Sequence, residues 1–178
     1  MIRLQPADIV ITCDKNSLFS KAILAVLNFF QEDEVRYQHT LMMVTDNVCI
    51  EALNKITFNY IEDRLKDFKR FKVIRHTGIT DEQRLAIVER ARSLKGLDYG
   101  YIRIGLQLLD QAFNTNWFTR RIKDPNYQIC SSLVAWAYDV ETGIRFNHVN
   151  WASCEPDDID DESLRSVTNF ETILEWEK

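Results

Sequence analysis

Apolar positions along this chain alternate between two periods, and the alternation predicts the order of its elements. Ala7-Asp8-Ile9-Val10-Ile11-Thr12 is a short run rich in β-branched residues, the pattern of a buried strand. Asn16-Ser17 offers an N-cap, and Leu18, Ile23, Leu24 and Leu27 then recur at helical spacing, predicting a helix to about Phe30. Gln31-Glu32-Asp33-Glu34 reads as an acidic exit loop. His39–Val44 and Val48–Leu53 read as two strands joined across Thr45-Asp46-Asn47, a turn of hairpin type. After a charged and helix-compatible stretch, Phe71-Lys72-Val73-Ile74-Arg75 reads as a further strand. Thr80-Asp81-Glu82-Gln83 resembles a capping sequence that opens a helix to about Leu94, closed by Gly96. Ile102 to Phe113 has helical character, Asp124-Pro125-Asn126 breaks the chain, and a last helix runs from Cys130 to Gly143. The order is α+β, an antiparallel sheet packed against helices, within one domain spanning residues 1–178.

Composition narrows the classes of function. The chain has 178 residues, enough to bury roughly 70% of its unfolded surface in one core. A net charge of −5 argues against a nucleic-acid surface, which needs a basic face. The longest apolar run, Ala22–Leu27, is far short of the roughly 20 residues of a bilayer span. Met1–Asp8 lacks the apolar centre and small-residue cleavage site of a secretory signal. A cytoplasmic protein is expected, including a virus-encoded one released by lysis.

The four cysteines have no CxxC spacing, so neither a zinc knuckle nor a redox motif is indicated. Cys13 and Cys49 lie in apolar, strand-like runs and read as small core hydrophobes. Cys154 falls in a Trp-containing, acidic loop with no evident task. Cys130 differs, because it opens a helix whose first turn gathers unsatisfied backbone N–H groups. A helix N-terminus stabilises a thiolate, and the donors around Ser131 and Ser132 suit an oxyanion hole. Cys130 also shares the apolar stripe of Leu133, Val134 and Ala137, as a plain buried cysteine would.

His39 on a strand supplies the imidazole that a thiol nucleophile needs. Its orienting group is sought on the next strand. If the turn centres on Asp46, residues whose numbers sum to about 91 or 92 pair, so Glu51 faces Thr40 or Leu41 and neighbours His39. Tyr37, two residues before His39, shares its strand face and is a candidate for substrate binding. Two other stretches read as structural. Trp117-Phe118-Thr119-Arg120-Arg121-Ile122-Lys123 reads as an amphipathic cover, and Glu155–Glu162 as a solvated acidic loop without calcium-loop spacing.

The order Ala-Asp-Ile-Val, helix, Tyr-x-His strand, Glu strand, and distant Cys-Ser-x-Leu-Val helix resembles a known group. It is similar to the circularly permuted papain-like enzymes of the NlpC-type superfamily, particularly the YiiX and YaeF group. Leu4-Gln5-Pro6-Ala7-Asp8-Ile9-Val10 is similar to the opening "PGDIV", with Ala7 in place of glycine. Gly96-Leu97-Asp98-Tyr99 is similar to the "G-x-x-Y" element, and Glu155-Pro156-Asp157-Asp158-Ile159 to the closing "P-x-D-L". Ser132 stands where that group often has glutamate.

The resemblance implies a thiol hydrolase of amidase or peptidase type. Cys130 would be the nucleophile, His39 the general base and acid, and Glu51 the orienting residue. Substrates would be peptide-like, cell-wall peptides among them, with no cofactor and no metal. The alternatives are an acyltransferase or lipid hydrolase of the same fold, and a non-catalytic binding or structural module that keeps it.

Overall fold

The computed structural model describes residues 3–14, 36–100, 105–106, 109–110, 113, 115, 117–118, 124, 126, 128–165 and 168–178. The helix expected from Asn16 to Phe30 lies outside the described residues, as does most of the helical stretch from Ile102 to Phe113. Six strands form one sheet: β1 (Ile9–Asp14), β2 (His39–Met43), β3 (Val48–Ala52), β4 (Ile56–Tyr60), β5 (Phe68–His76) and β6 (Phe170–Glu177). Their order is β4-β3-β2-β1-β5-β6, antiparallel at every pairing. The described α-helices are α1 (Ile61–Leu65), α2 (Asp81–Arg92), α3 (Cys130–Thr142) and α4 (Pro156–Leu164), with short 3-10 turns at Phe146–His148 and Trp151–Ser153.

Strand alternation divides the core. Ile9, Ile11, Met42 and Ile50 leave one face and pack with Ile87 and Val88 of α2 and Leu133, Val134 and Ala137 of α3. Val10, Leu41, Met43, Cys49 and Val73 leave the other face and pack with Ile61 and Phe68. Each helix starts and stops where local chemistry allows. Thr80 accepts from the Gln83 amide at 3.3 Å while Gln83 Oε1 accepts from the Thr80 amide at 3.0 Å, the reciprocal cap that the sequence predicts. Helix α3 ends at Gly143, whose φ of 73° is left-handed and whose N–H donates to the Asp139 carbonyl at 2.9 Å.

The turn before β1 is fastened from several sides. Asp8 is buried, accepts from the Gln5 amide at 2.8 Å, and meets Arg75 of β5 through Nε at 2.8 Å and Nη2 at 2.6 Å. Tyr138 of α3 donates its hydroxyl to the Ala7 carbonyl at 2.5 Å, so α3 is locked onto the start of β1. On the far side of β1, Lys72 of β5 and Asp160 of α4 form a buried ion pair.

One expectation needs correction. The acidic run Glu155–Glu162 is largely helix α4, because Pro156 suits a first helical turn and Asp158 accepts from the Glu155 amide at 2.9 Å. Its Asp160 and Glu162 are buried, one on Lys72, the other accepting from the Asn147 amide at 2.6 Å. Cys154 lies in the connection ahead of this helix, with its side chain buried in the main core.

Gly143 tests the helix terminus. No atom lies within 4 Å of an added Cβ, so Gly143→Ala should cost only backbone strain, about 1 kcal/mol, by equilibrium unfolding in urea. An unchanged unfolding midpoint would contradict the left-handed cap.

Candidate active site

The β2–β3 ladder pairs Met43 with Cys49, Met42 with Ile50 and Leu41 with Glu51, then stops. The last pair has residue numbers summing to 92, the register expected from the turn. Leu41 and Glu51 therefore leave the same face, and His39, two residues earlier on β2, lies on that face diagonal to Glu51. The ring nitrogen Nε2 of His39 sits 2.7 Å from Glu51 Oε2. Glu51 is fully buried, and His39 is only 7% exposed.

Cys130 closes the line from the helix side. Amides of β2 alternate between its neighbours, and the Met43 N–H donates to Asp8 on the β1 side. The Thr40 N–H therefore turns toward the β3 side, where the ladder has already ended. It lies beside the Cys130 sulfur, as do the Ser131 N–H in the first turn of α3 and the His39 ring, and all three favour the thiolate. With Nε2 taken by Glu51, the nitrogen left for Cys130 is Nδ1. The three residues named from the sequence thus meet in one line, Cys130 beside His39 and His39 hydrogen-bonded to Glu51.

The electrostatics follow from these contacts. Burial pushes the Cys130 thiol up, but the adjacent His39 charge and the Thr40 and Ser131 amides bring it below the ordinary cysteine value. Burial lowers His39, yet the Cys130 and Glu51 charges and hydrogen bonds outweigh it and raise the imidazole to about 10. Burial likewise raises Glu51, but His39 and then Arg64 hold it below the usual carboxylate range. Each shift favours the charged form: thiolate, imidazolium and carboxylate. The other cysteines behave differently. Burial keeps Cys49 protonated, raised to about 12, and lifts Cys154 well above 9 with the Cys130 charge adding to it.

Several contributors escaped the sequence reading. Asn59 of β4 donates Nδ2 to Glu51 Oε1 at 2.8 Å, and Arg64 of α1 places Nε 2.6 Å from the same oxygen. Gln128 is fully buried two residues before Cys130. Its Oε1 accepts from the Ser132 hydroxyl at 2.6 Å, while its Nε2 has no acceptor among the described residues. Ser132 in turn accepts from the Ile129 amide at 2.9 Å, and Ser131 donates to the Cys154 carbonyl at 2.6 Å, so both serines anchor the start of α3. The Gln-x-Cys-Ser-Ser order was the available signal for Gln128; nothing local marked Arg64 or Asn59.

The contacts of Tyr37 lie away from this line. Its ring lies in the core, its hydroxyl donates to Glu175 Oε1 at 3.2 Å, and the Lys72 ammonium stands 5.5 Å from the ring centroid. His76 packs edge-on against Phe170 at 4.7 Å and accepts from the Gly78 amide, a structural role. In the expected amphipathic cover, Trp117 meets Phe118 edge-on at 4.9 Å, and Thr119–Lys123 lie outside the described residues. Among the described residues no group of three or more His, Cys, Asp or Glu is disposed to hold a metal ion, and no helix is long and apolar enough to cross a membrane.

Fold and site together define an α+β protein whose helix-borne thiol faces an imidazole on an antiparallel sheet. The fold is similar to the crystal structure of the metalloprotein yiiX from Escherichia coli O157:H7, with a TM-score of 0.58 and 19% sequence identity over 97% of this chain and 89% of that one. The chain therefore has a YiiX-like fold. No protein-family profile matches the sequence, and no curated protein matches it significantly.

The charged line makes stability pH-dependent in a defined way. His39 is raised, so its contribution is complete below the unfolded value of 6.5 and is lost as pH rises through about 10. Cys130 is lowered, so its contribution is complete above the unfolded value of 9.0 and is lost as pH falls through the depressed value. Above both 6.5 and the depressed Cys130 value, and below 9.0, the folded and unfolded chains each hold one proton on this pair, which leaves a plateau. The stability difference between wild type and a His39→Gln/Cys130→Ser variant should be greatest on that plateau and shrink on both sides. Thermal unfolding across pH 5 to 10.5 checks it; a difference independent of pH would contradict the ion pair.

Proposed function

We propose that this chain is a cysteine-dependent amide hydrolase, of amidase or peptidase type, with a permuted papain-like arrangement in which the histidine precedes the cysteine. The observation that carries the reading is the continuous line Cys130–His39–Glu51 set at the first turn of a helix. A structural cysteine has no need of a buried imidazole and carboxylate beyond it, since each buried charge costs free energy unless paired. Here the pairing lowers the thiol and raises the ring, the opposite of what burial alone does to either.

The chemistry follows from the charges. The Cys130 thiolate attacks the carbonyl carbon of an amide, and the carbonyl electron pair moves to oxygen. The oxyanion is met by backbone donors at the start of α3, with the buried Gln128 Nε2 available as a further donor. Collapse breaks the C–N bond as His39 Nδ1 gives its proton to the leaving nitrogen, which departs as an amine. The neutral ring then takes a proton from water as it attacks the thioester. Loss of the thiolate releases the acid and restores the imidazolium. Glu51 keeps the ring oriented throughout by holding Nε2.

The resemblance supports peptide-like substrates. The structural neighbour is described as a metalloprotein, but the described residues here do not offer a metal-ligand set, and no step is assigned to a metal.

Iodoacetamide alkylation of Cys130, followed by mass spectrometry, tests the activated thiol. In the wild type, labelling at pH 6 should stay close to its rate at pH 8. In His39→Ala it should fall by about tenfold for each pH unit below an ordinary thiol value. Cys130→Ala should lose labelling at this position and lower turnover of an activated acyl substrate such as p-nitrophenyl acetate by about a thousandfold or more. Wild-type labelling as sluggish as a model thiol would reject the enzyme and leave a non-catalytic module.

A further inference from the structure

We propose that Arg64 is a fourth member of this site, a positioning residue whose positive charge holds Glu51 ionised in the interior and thereby keeps His39 and Cys130 as an imidazolium–thiolate pair. The inference rests on the enzyme reading above and deepens it.

The two carboxylate oxygens of Glu51 have divided tasks. Oε2 is given to His39 at 2.7 Å, whereas Oε1 accepts a hydrogen bond from Asn59 Nδ2 at 2.8 Å and forms an ion pair with Arg64, whose Nε stands 2.6 Å away. Glu51 is fully buried, and the Arg64 side chain is only 15% exposed, so water screens this pair weakly. Arg64 is itself fixed: its Nη1 donates to Asp67 at 2.9 Å, and its guanidinium lies 5.3 Å from the Phe68 ring centroid.

From Arg64 through Glu51 and His39 to Cys130 the charges run plus, minus, plus, minus, and they sum to zero. The other titratable groups facing the line do not disturb that sum. Cys49 beside Glu51 on β3 and Cys154 behind Cys130 are protonated thiols, and Asp67, opposite Arg64, is 64% exposed. Removing the guanidinium charge leaves a buried net charge of minus one, which the site relieves by taking up a proton. On Cys130 that proton abolishes the nucleophile. On Glu51 it removes the charge that supports the imidazolium, and the thiolate weakens in consequence.

The test is the Cys130 thiolate absorbance near 240 nm, titrated from pH 4 to 10 with Cys130→Ala as the blank and circular dichroism as the check on folding. Arg64→Gln should raise the midpoint of the thiolate titration by about one unit or more, a tenfold loss of thiolate below it. Arg64→Lys, which keeps a charge, should recover most of the shift. A second comparison removes dependence on one variant's folding. Glu51→Gln/Arg64→Gln takes away both members of the pair, and because Arg64 acts through Glu51 its midpoint should match that of Glu51→Gln alone. A folded Arg64→Gln protein that titrates like wild type overturns the proposal, as does a double variant whose midpoint lies clearly above that of Glu51→Gln. A wild type without thiolate below pH 8 would instead overturn the enzyme reading itself.

Discussion

A carboxylate sealed from solvent must find its counter-charge within the protein, and Glu51 imposes that requirement on everything near it. Its position is set by a hairpin register, and its two oxygens draw in residues from β2, β4 and α1. His39 is raised first by the Cys130 charge and then by Glu51, so it balances an anion on either side. Left unpaired, a buried charge costs several kcal/mol. Matched in alternating order, the same charges lie in a protein interior without net excess.

The backbone contributes as much as the side chains. Strand β2 is paired with β1 along its length, but with β3 only as far as Leu41. The notch beyond that pair exposes the Thr40 N–H, and the sulfur of Cys130 fills it. Helix α3 is held at that distance by contacts remote from the thiol, among them the Tyr138 hydroxyl on Ala7 and the reciprocal bonds of Gln128, Ser132 and Ile129. Precision at the sulfur thus derives from how a helix is fastened at both ends.

What was legible in the sequence was local or short-range. The turn at Asp46 fixed the hairpin register, and with it the meeting of His39 and Glu51; Thr80 and Gln83 announced their helix. Strand β4 was missed although Ile56-Thr57-Phe58-Asn59-Tyr60 alternates as a strand does, because it runs directly into the charged Glu62–Lys72 stretch and was read with it as helix-compatible. Strand β6 was missed because most of its residues are exposed, so alternation has no core to report. Helix α4 was read as a loop since its buried acids are satisfied by Lys72 and by a distant backbone amide, partners that no window of sequence contains. Arg64 looks like any cation on a charged helix until the fold brings Glu51 to it.

Strand β6 carries a further consequence. It is the outermost strand on its side of the sheet, with Leu174 and Trp176 partly open to solvent, the kind of border that invites another chain to join. Glu171, Glu175 and Glu177 are spread along that same border. A second copy approaching head to tail would set carboxylate against carboxylate, so the sheet carries its own deterrent to endless growth.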